Sequence, residues 1–545
     1  MLDQIWCNIA VSSCIERNID HFFLAPGSRC TPLTLAVANH NDAKITQHFD
    51  ERALAYAALG YARATGRPGV FICTSGTAVA NAYPAVIEAA TDGVPMLLFT
   101  ADRPPELRGT GANQTIDQQQ IFGTYAKWFF DMPCAEEHIE LAFVRNQVMR
   151  AVEESKTGPA QLNWMFREPF GVSQPDRALV RQSFVSEVDP PEPDTPQQVD
   201  LDIPGEALVI AGGCRPDEVR AAQQFASELD APLLTDITSN FRGITPDNVS
   251  NPKLPSPNTV VHVGGRIVSK AWLKYTQSSL PDSRILHLSS NDSPINPSQH
   301  GAYEHILADL SNCRFNIRRH GAGTTQFRKT WEASESARRI AIQRVVEESG
   351  DQLHEPGIAW QLGQLIPVEH GLFIGNSTPI RDMDWFSNWP QDKDVVVGAN
   401  RGASGIDGLL ATAVGFAMGL DRKTTLLIGD LSALHDLNSM SLLAQSAVPL
   451  IVLIINNLGG GIFDLLPIAK QTEHYERFFA TPHSRGFHHA AQMFDLNYAK
   501  STTFSEFATQ YAEATRSSVS TVIELRTDRE YNMRIRKLIQ AEISR

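Results

Sequence analysis

Short apolar runs recur along this chain, separated by longer amphipathic stretches. In an N-terminal block reaching about Val185, the runs His21–Leu24, Ala43–Phe49, Val70–Cys73 and Pro95–Thr100 read as strands. Most are apolar throughout rather than alternating, as expected of strands covered on both faces. After Ala43–Phe49, residues Leu54, Ala57, Ala58 and Tyr61 repeat at helical spacing. A second block has runs at Ala207–Ala211, Pro232–Leu234, Thr259–Val263 and Arg284–Leu288. A charged helical stretch, Phe327–Glu348, leads to a third block with runs at Gly371–Ile374, Asp394–Gly398, Thr424–Ile428, Pro449–Ile455 and Thr521–Leu525. The acidic, proline-rich stretch Asp189–Pro196 reads as a linker. The pattern predicts three consecutive α/β domains with mainly parallel sheets, at 1–187, 188–348 and 349–545.

Composition narrows the class. A chain of 545 residues, 42% of them hydrophobic, has ample material for several cores. A net charge of −14 argues against a nucleic-acid partner. No apolar run reaches membrane-spanning length, and Met1–Gln4 does not open a secretory signal. Cys7, Cys14, Cys30, Cys73, Cys134, Cys214 and Cys313 are odd in number and scattered, with no Cys-x-x-Cys pair. They read as reduced thiols, and the expected location is cytoplasmic.

The candidate chemistry sits at predicted strand ends. Asp430 follows Thr424–Ile428, and Asn457 follows Pro449–Ile455, 27 positions later. A carboxylate and an amide oxygen at neighbouring strand ends make a hard-oxygen site suited to Mg²⁺ shared with a diphosphate. The plainer alternative is a Gly-Asp turn before a helix and an Asn pair in a turn. Glu51 stands at a strand-to-helix junction, where a glutamate is also favoured by the helix dipole alone. Arg29, Arg103, Arg381 and Arg401 lie in Gly-, Ser- or Pro-rich loops after strands. Guanidinium forks there suggest several carboxylates to be held. A dinucleotide-binding oxidoreductase would need Gly-x-Gly-x-x-Gly, and Gly402–Gly408 has the wrong spacing. His48 precedes Glu51 inside a predicted strand and reads as structural.

The Asp430/Asn457 spacing resembles the thiamine diphosphate signature, Gly-Asp-Gly followed some two dozen residues on by Asn-Asn. Leu431 departs from it, standing where that family has glycine. The resemblance implies a thiamine diphosphate-dependent decarboxylase-like architecture. It implies a metal, Mg²⁺ or else Mn²⁺, on Asp430, Asn457 and the Gly459 carbonyl. Glu51 then matches the carboxyl group that activates the cofactor's aminopyrimidine, with Thr74-Ser75-Gly76 after the next strand. A non-catalytic relative would lack Glu51 or Asp430.

Five loops narrow the resemblance: Ala25–Arg29, Thr100–Leu107, Gly111–Gln114, Gly375–Ser377 with Arg381, and Asn400–Gly408. In this order they resemble the 2-succinyl-5-enolpyruvyl-6-hydroxy-3-cyclohexene-1-carboxylate synthases of menaquinone biosynthesis. That resemblance implies 2-oxoglutarate and isochorismate as substrates. Ser377, Arg381 and Arg401 would grip the first; Ser28, Arg29, Arg103, Asn113, Gln114 and Lys270 would bind the second. Ile406 would bend the cofactor, and Ile462, Phe463 and Leu466 would form an apolar wall. Ser404, Gly429, Leu431, Ser432 and Gly460 would complete its cradle. The family's cofactor lies between subunits, which implies a homodimer or homotetramer. Another thiamine diphosphate-dependent 2-oxoacid decarboxylase or carboligase is the alternative, and the arginine loops argue against it.

Overall fold

A computed structural model describes residues 2–170, 196–278, 280, 283–291, 302–321, 325–389 and 395–545. The stretch read as a linker lies outside the described residues up to Thr195.

The first sheet contains β1 (His21–Leu24), β2 (Lys44–Gln47), β3 (Val70–Cys73), β4 (Met96–Asp102), β5 (Trp128–Met132) and β6 (Pro159–Met165), in the order β2-β1-β3-β4-β6-β5. The central segment contributes β7 (Gln197–Pro204), β8 (Ala207–Ala211), β9 (Leu233–Thr235), β10 (Thr259–Val263), β11 (Arg284–Ser289), β12 (Ala302–Leu307) and β13 (Cys313–His320). Five of these form a sheet in the order β12-β11-β10-β8-β9, and β7 pairs with β13 apart from it. The third sheet holds β14 (Gly371–Ile374), β15 (Val396–Gly398), β16 (Thr424–Gly429), β17 (Leu450–Asn456), β18 (Asn497–Ser501) and β19 (Thr521–Arg526), ordered β15-β14-β16-β17-β19-β18.

All described pairings between these strands are parallel, for example β1 with β3, β10 with β11, and β16 with β17. Numbered within its own block, the third sheet repeats the strand order of the first. In both, the order reverses between the block's first and third strands, β1/β3 and β14/β16. A crevice at the carboxyl ends of such strands is where open α/β sheets bind ligands.

The chain clusters into two compact units. One contains 1–192, 400–421 and 435–448; the other contains 193–399, 422–434 and 449–545. In the first, Phe22, Phe71, Phe99 and Trp164 are buried in the sheet strands or against them. Each large apolar side chain so buried stabilises by about 1.5–3 kcal/mol.

The helix Glu51–Thr65 is the frame of this unit. Asp50 caps it by accepting from the Arg52 and Ala53 N–H groups, and Gly66 ends it with φ of 68°. It packs on the helix Leu409–Leu420 with backbones almost touching. A Cβ on Gly60 would stand 1.9 Å from the Thr412 carbonyl oxygen, and one on Gly415 would stand 1.8 Å from that of Ala57. Buried Asp436 anchors the second helix by accepting from the Leu410 and Ala411 N–H groups at 2.9 and 3.2 Å. Burial pushes its carboxyl up to about 6.

Candidate active site

In the first compact unit, three loops leave the carboxyl ends of β1, β2 and β3. Glu51 opens the helix after β2 and is part-exposed. His48 is structural, as expected. Its Nε2 lies 2.6 Å from Ser441 Oγ, and its Nδ1 accepts from the Asp50 N–H at 3.1 Å. The loop after β1 comes so close to β3 that a Cβ on Gly27 would stand 2.3 Å from Thr74 Cβ.

Thr74, Ser75 and Gly76 follow β3, Ser75 fully buried and Gly76 at φ of 81°. Gln118, not anticipated, accepts from the Gly76 N–H at 2.8 Å and donates to Ala101 and Asn163. Gln114 donates to the Ser75 carbonyl at 2.9 Å from a backbone with φ of 54°.

Arg29 and Arg103 are both buried, and both are already engaged. Arg29 donates to the Phe166 carbonyl at 2.9 Å and to Glu168 at 2.8 Å, beneath the Phe170 ring. Arg103 donates to Ser75 Oγ and to the Gln114 carbonyl. Desolvation, then the charge of Arg29, holds the Arg103 guanidinium below its usual range. A guanidinium whose charge is disfavoured by burial and by a neighbouring guanidinium is suited to an anion. Ser28 and Asn113 are exposed in the adjoining loops.

The loop Arg401–Gly408 belongs to the same compact unit. Glu88, 2% exposed, accepts from the N–H groups of Gly402, Ala403 and Ser404 at 2.7, 2.6 and 3.3 Å. Arg63 joins this carboxylate at 2.7 Å to Asp92 at 2.6 Å and Asn400 at 3.0 Å. A Cβ on Gly402 would stand 2.5 Å from the Glu88 carbonyl oxygen. Farther along, Tyr56 donates to Asp407 at 2.6 Å, Ser404 has φ of 60°, and Ile406 is exposed. Arg401 is thus presented on a loop fixed from below.

In the second unit the loops follow β14, β16 and β17. Asp430, 2% exposed, accepts from the Gly459 N–H at 3.0 Å, and Asn457 Oδ1 accepts from the same N–H at 3.2 Å. Two hard oxygens therefore converge on one point of backbone. Burial raises the Asp430 carboxyl, a cost that a bound cation would offset. His483 Nε2 approaches Asp430 at 3.2 Å, off the hydrogen-bond direction. The donor set fits Mg²⁺: one carboxylate, one amide and the Gly459 carbonyl leave most positions to phosphate and water. Among the described residues no three His, Cys, Asp or Glu side chains gather as a metal cluster, in keeping with so sparse a set.

Leu431 costs no ligand. Its N–H donates to Asp430 Oδ1 at 2.7 Å, and its side chain is half-buried at the helix start beside Gly429 and buried Ser432. Gly459 has φ of 152°, and a Cβ there would stand 2.5 Å from the Ala480 carbonyl oxygen. Gly460 packs against Phe463, whose ring lies 5.8 Å from that of Phe479, with Ile462 half-buried alongside.

After β14, Ser377 (φ of 76°) opens the helix Thr378–Phe386, and Arg381 donates back to its carbonyl. On the same helix Asp382 binds Arg536, which also donates to Glu355 at 2.8 Å. Burial pushes the Asp382 carboxyl up to about 6. Lys270 is exposed at the start of the helix Lys270–Ser278.

Glu88, Gln118, Glu355 and His483 escape a reading of the sequence. Each is an ordinary polar residue in a helix or loop, and its partners lie far off along the chain. Only the His354-Glu355-Pro356 helix start gives a local signal, and it is generic.

Comparison with known proteins agrees with this layout. Residues 8–121 match the family model described as thiamine pyrophosphate enzyme, N-terminal TPP binding domain, and 394–525 match its C-terminal TPP binding domain. A 2-succinyl-5-enolpyruvyl-6-hydroxy-3-cyclohexene-1-carboxylate synthase of Rubrobacter xylanophilus is 42% identical, over 98% of this chain and 97% of its own length. Proteins of the same name from Salinibacter ruber and Pelodictyon phaeoclathratiforme are each 38% identical over 99% of this chain and 96% of their own. With both thiamine pyrophosphate domains present and full-length relatives above one-third identity, the chain belongs to the thiamine diphosphate-dependent 2-succinyl-5-enolpyruvyl-6-hydroxy-3-cyclohexene-1-carboxylate synthase family.

Proposed function

We propose that the chain decarboxylates 2-oxoglutarate and adds the remaining four-carbon unit to the ring alkene of isochorismate, releasing CO₂. The metal half of this reading rests on one observation: the Asp430 and Asn457 oxygens share the Gly459 N–H at 3.0 and 3.2 Å. Asp430, Asn457 and the Gly459 carbonyl hold Mg²⁺ or Mn²⁺, which ties a diphosphate to the loops after β16 and β17. Bound thiamine diphosphate supplies the nucleophilic carbon and the electron sink that loss of CO₂ from a 2-oxoacid requires.

Every other role falls to side chains. Glu51 sets its carboxyl group in a hydrogen bond against the aminopyrimidine ring and so favours the reactive tautomer. Thr74, Ser75, Gly76, Ser404, Gly429, Leu431, Ser432 and Gly460 line the cofactor, with Ile406, Ile462 and Phe463 as apolar surfaces. Ser377, Arg381 and Arg401 orient 2-oxoglutarate. Ser28, Arg29, Arg103, Asn113, Gln114 and Lys270 receive isochorismate. For Arg29 the substrate carboxylate takes over from Glu168, whose side chain is 69% exposed and free to move aside.

The domain division at 187/188 and 348/349 belongs to this reading, supported by the sheets, which fall in 21–165, 197–320 and 371–526. So do assembly as a homodimer or homotetramer and a cytoplasmic location. Among the described residues no helix is long and apolar enough to cross a membrane.

The test separates the two substrates. Removing one guanidinium from a held carboxylate costs roughly 2–5 kcal/mol. Arg401→Ala should slow CO₂ release from 2-oxoglutarate alone. Arg103→Ala should leave that release almost unchanged and raise the isochorismate requirement. Equal damage to the first step by both variants would refute the division.

A further inference from the structure

We infer that Glu355 is the positioning residue that turns the Asn457 amide so that its oxygen faces the cation. The inference rests on the assignment of Asn457 to the metal. An amide's oxygen and NH₂ group fill nearly the same volume, so only hydrogen bonds decide which end points where. A metal site needs the oxygen; an NH₂ group in its place would repel the ion.

Glu355 imposes the choice. It is 3% exposed, and its carboxylate can only accept. Asn457 Nδ2 donates to Glu355 Oε1 at 2.8 Å, so the NH₂ end is committed there. Asn457 Oδ1 is left on the opposite side, beside Asp430.

Glu355 is itself held from every side. Its Oε1 also accepts from Asn532 Nδ2 at 3.0 Å, and its Oε2 accepts from Arg536 at 2.8 Å. Its N–H donates to Asn532 Oδ1 at 2.9 Å. Arg536 neutralises the buried charge, and Asp382 binds the same guanidinium. The backbone is also cleared around the contact: a Cβ on Gly461 would stand 2.6 Å from Asn457 Nδ2. The neighbouring Asn456 is handled in the same way, its NH₂ donating to buried Glu524 at 2.9 Å. Each amide of the Asn pair is therefore locked by its own buried carboxylate.

The test is Mg²⁺ titration by calorimetry of the full-length protein with saturating thiamine diphosphate. The variants are Glu355→Gln, Asn457→Ala and the double variant. Glutamine offers an NH₂ group that lets the Asn457 oxygen turn inward. Glu355→Gln should weaken Mg²⁺ about 10–100-fold, the usual effect of losing a group that orients a ligand. Because Glu355 acts through Asn457, the double variant should bind within about twofold of Asn457→Ala. Unchanged affinity in Glu355→Gln, or losses that multiply in the double variant, would overturn the inference.

Asp382 still pairs Arg536 in Glu355→Gln, so no buried cation is orphaned. Should that variant fail to fold, Gly461→Ala presses a methyl group on the same amide with every charge in place. It should weaken Mg²⁺ as well, and normal affinity there would also overturn the inference. If the unsubstituted protein itself bound thiamine diphosphate without any need for Mg²⁺, the metal assignment would fall and the inference with it.

Discussion

Glu51 shows what one residue contributes and how far the sequence reveals it. Glu51→Gln keeps the shape and helix position of the side chain but cannot present a carboxyl group to the cofactor. Turnover should fall about 10²–10⁴-fold, with thiamine diphosphate affinity nearly unchanged. Single-turnover CO₂ release at the normal rate would count against the assignment. Asp430 and Asn457 stand out in the sequence because each ends a buried apolar run, and Glu51 because it stands at a strand-to-helix junction after a mixed run. Glu88 and Glu355 are not legible, since their meaning comes from partners 314 and 102 positions away. The position of the arginines in loops after strands is visible in the sequence. That Arg29 and Arg103 would already be engaged by Glu168, Ser75 and Gln114 could not be read there, because those contacts form only when separate loops converge.

At the scale of elements, close packing and buried histidines set the stability. Gly415→Val would force a side chain into the Ala57 carbonyl, 1.8 Å from its Cβ. Overpacking costs about 1–3 kcal/mol, so the denaturation midpoint should drop with little change in slope. An unchanged midpoint would mean that the two helices can separate freely.

In the central sheet His262, His287 and His305 are register partners across β10, β11 and β12. Burial, then the neighbouring histidines, push His287 down to about 3. Its Nδ1 faces the Tyr303 hydroxyl at 2.8 Å and its Nε2 faces the Gly264 carbonyl at 2.9 Å, so the ring is held neutral. As pH falls below about 6.5 the unfolded chain takes a proton that the folded one refuses, and stability is lost. From pH 7 to 5 this one residue costs about 2 kcal/mol. His287→Gln should therefore lose about that much less stability than the parent over the same interval. Equal losses would contradict the neutral, buried ring.

Most strands that position the site were readable within a residue or two, because fully buried parallel strands are unbroken apolar runs. β1, β3, β8, β10 and β14 were read with their observed bounds. β5, β6, β7, β12, β13 and β18 have no counterpart among the predicted runs. β6 is buried yet carries Gln161 and Asn163, which pair with Thr100, Asp102 and Gln118; β18 is a short polar strand at a sheet edge.

Over the whole molecule, the repeated strand order of the two outer sheets gives two sets of loops at equivalent strand ends. One set carries Glu51, Arg29 and Arg103, the other Asp430, Asn457 and Arg381. The sequence could announce two similar α/β blocks, but not the grouping of 400–421 and 435–448 with the N-terminal residues, since that depends on Gly60, Gly415, Glu88 and Asp436 acting together. The central claim concerns what this assembly makes. The most direct measurement is to incubate the protein with thiamine diphosphate, Mg²⁺, 2-oxoglutarate and isochorismate and to identify the product by mass. The account predicts CO₂ together with 2-succinyl-5-enolpyruvyl-6-hydroxy-3-cyclohexene-1-carboxylate. Release of CO₂ with isochorismate left intact and the four-carbon aldehyde as product would contradict it.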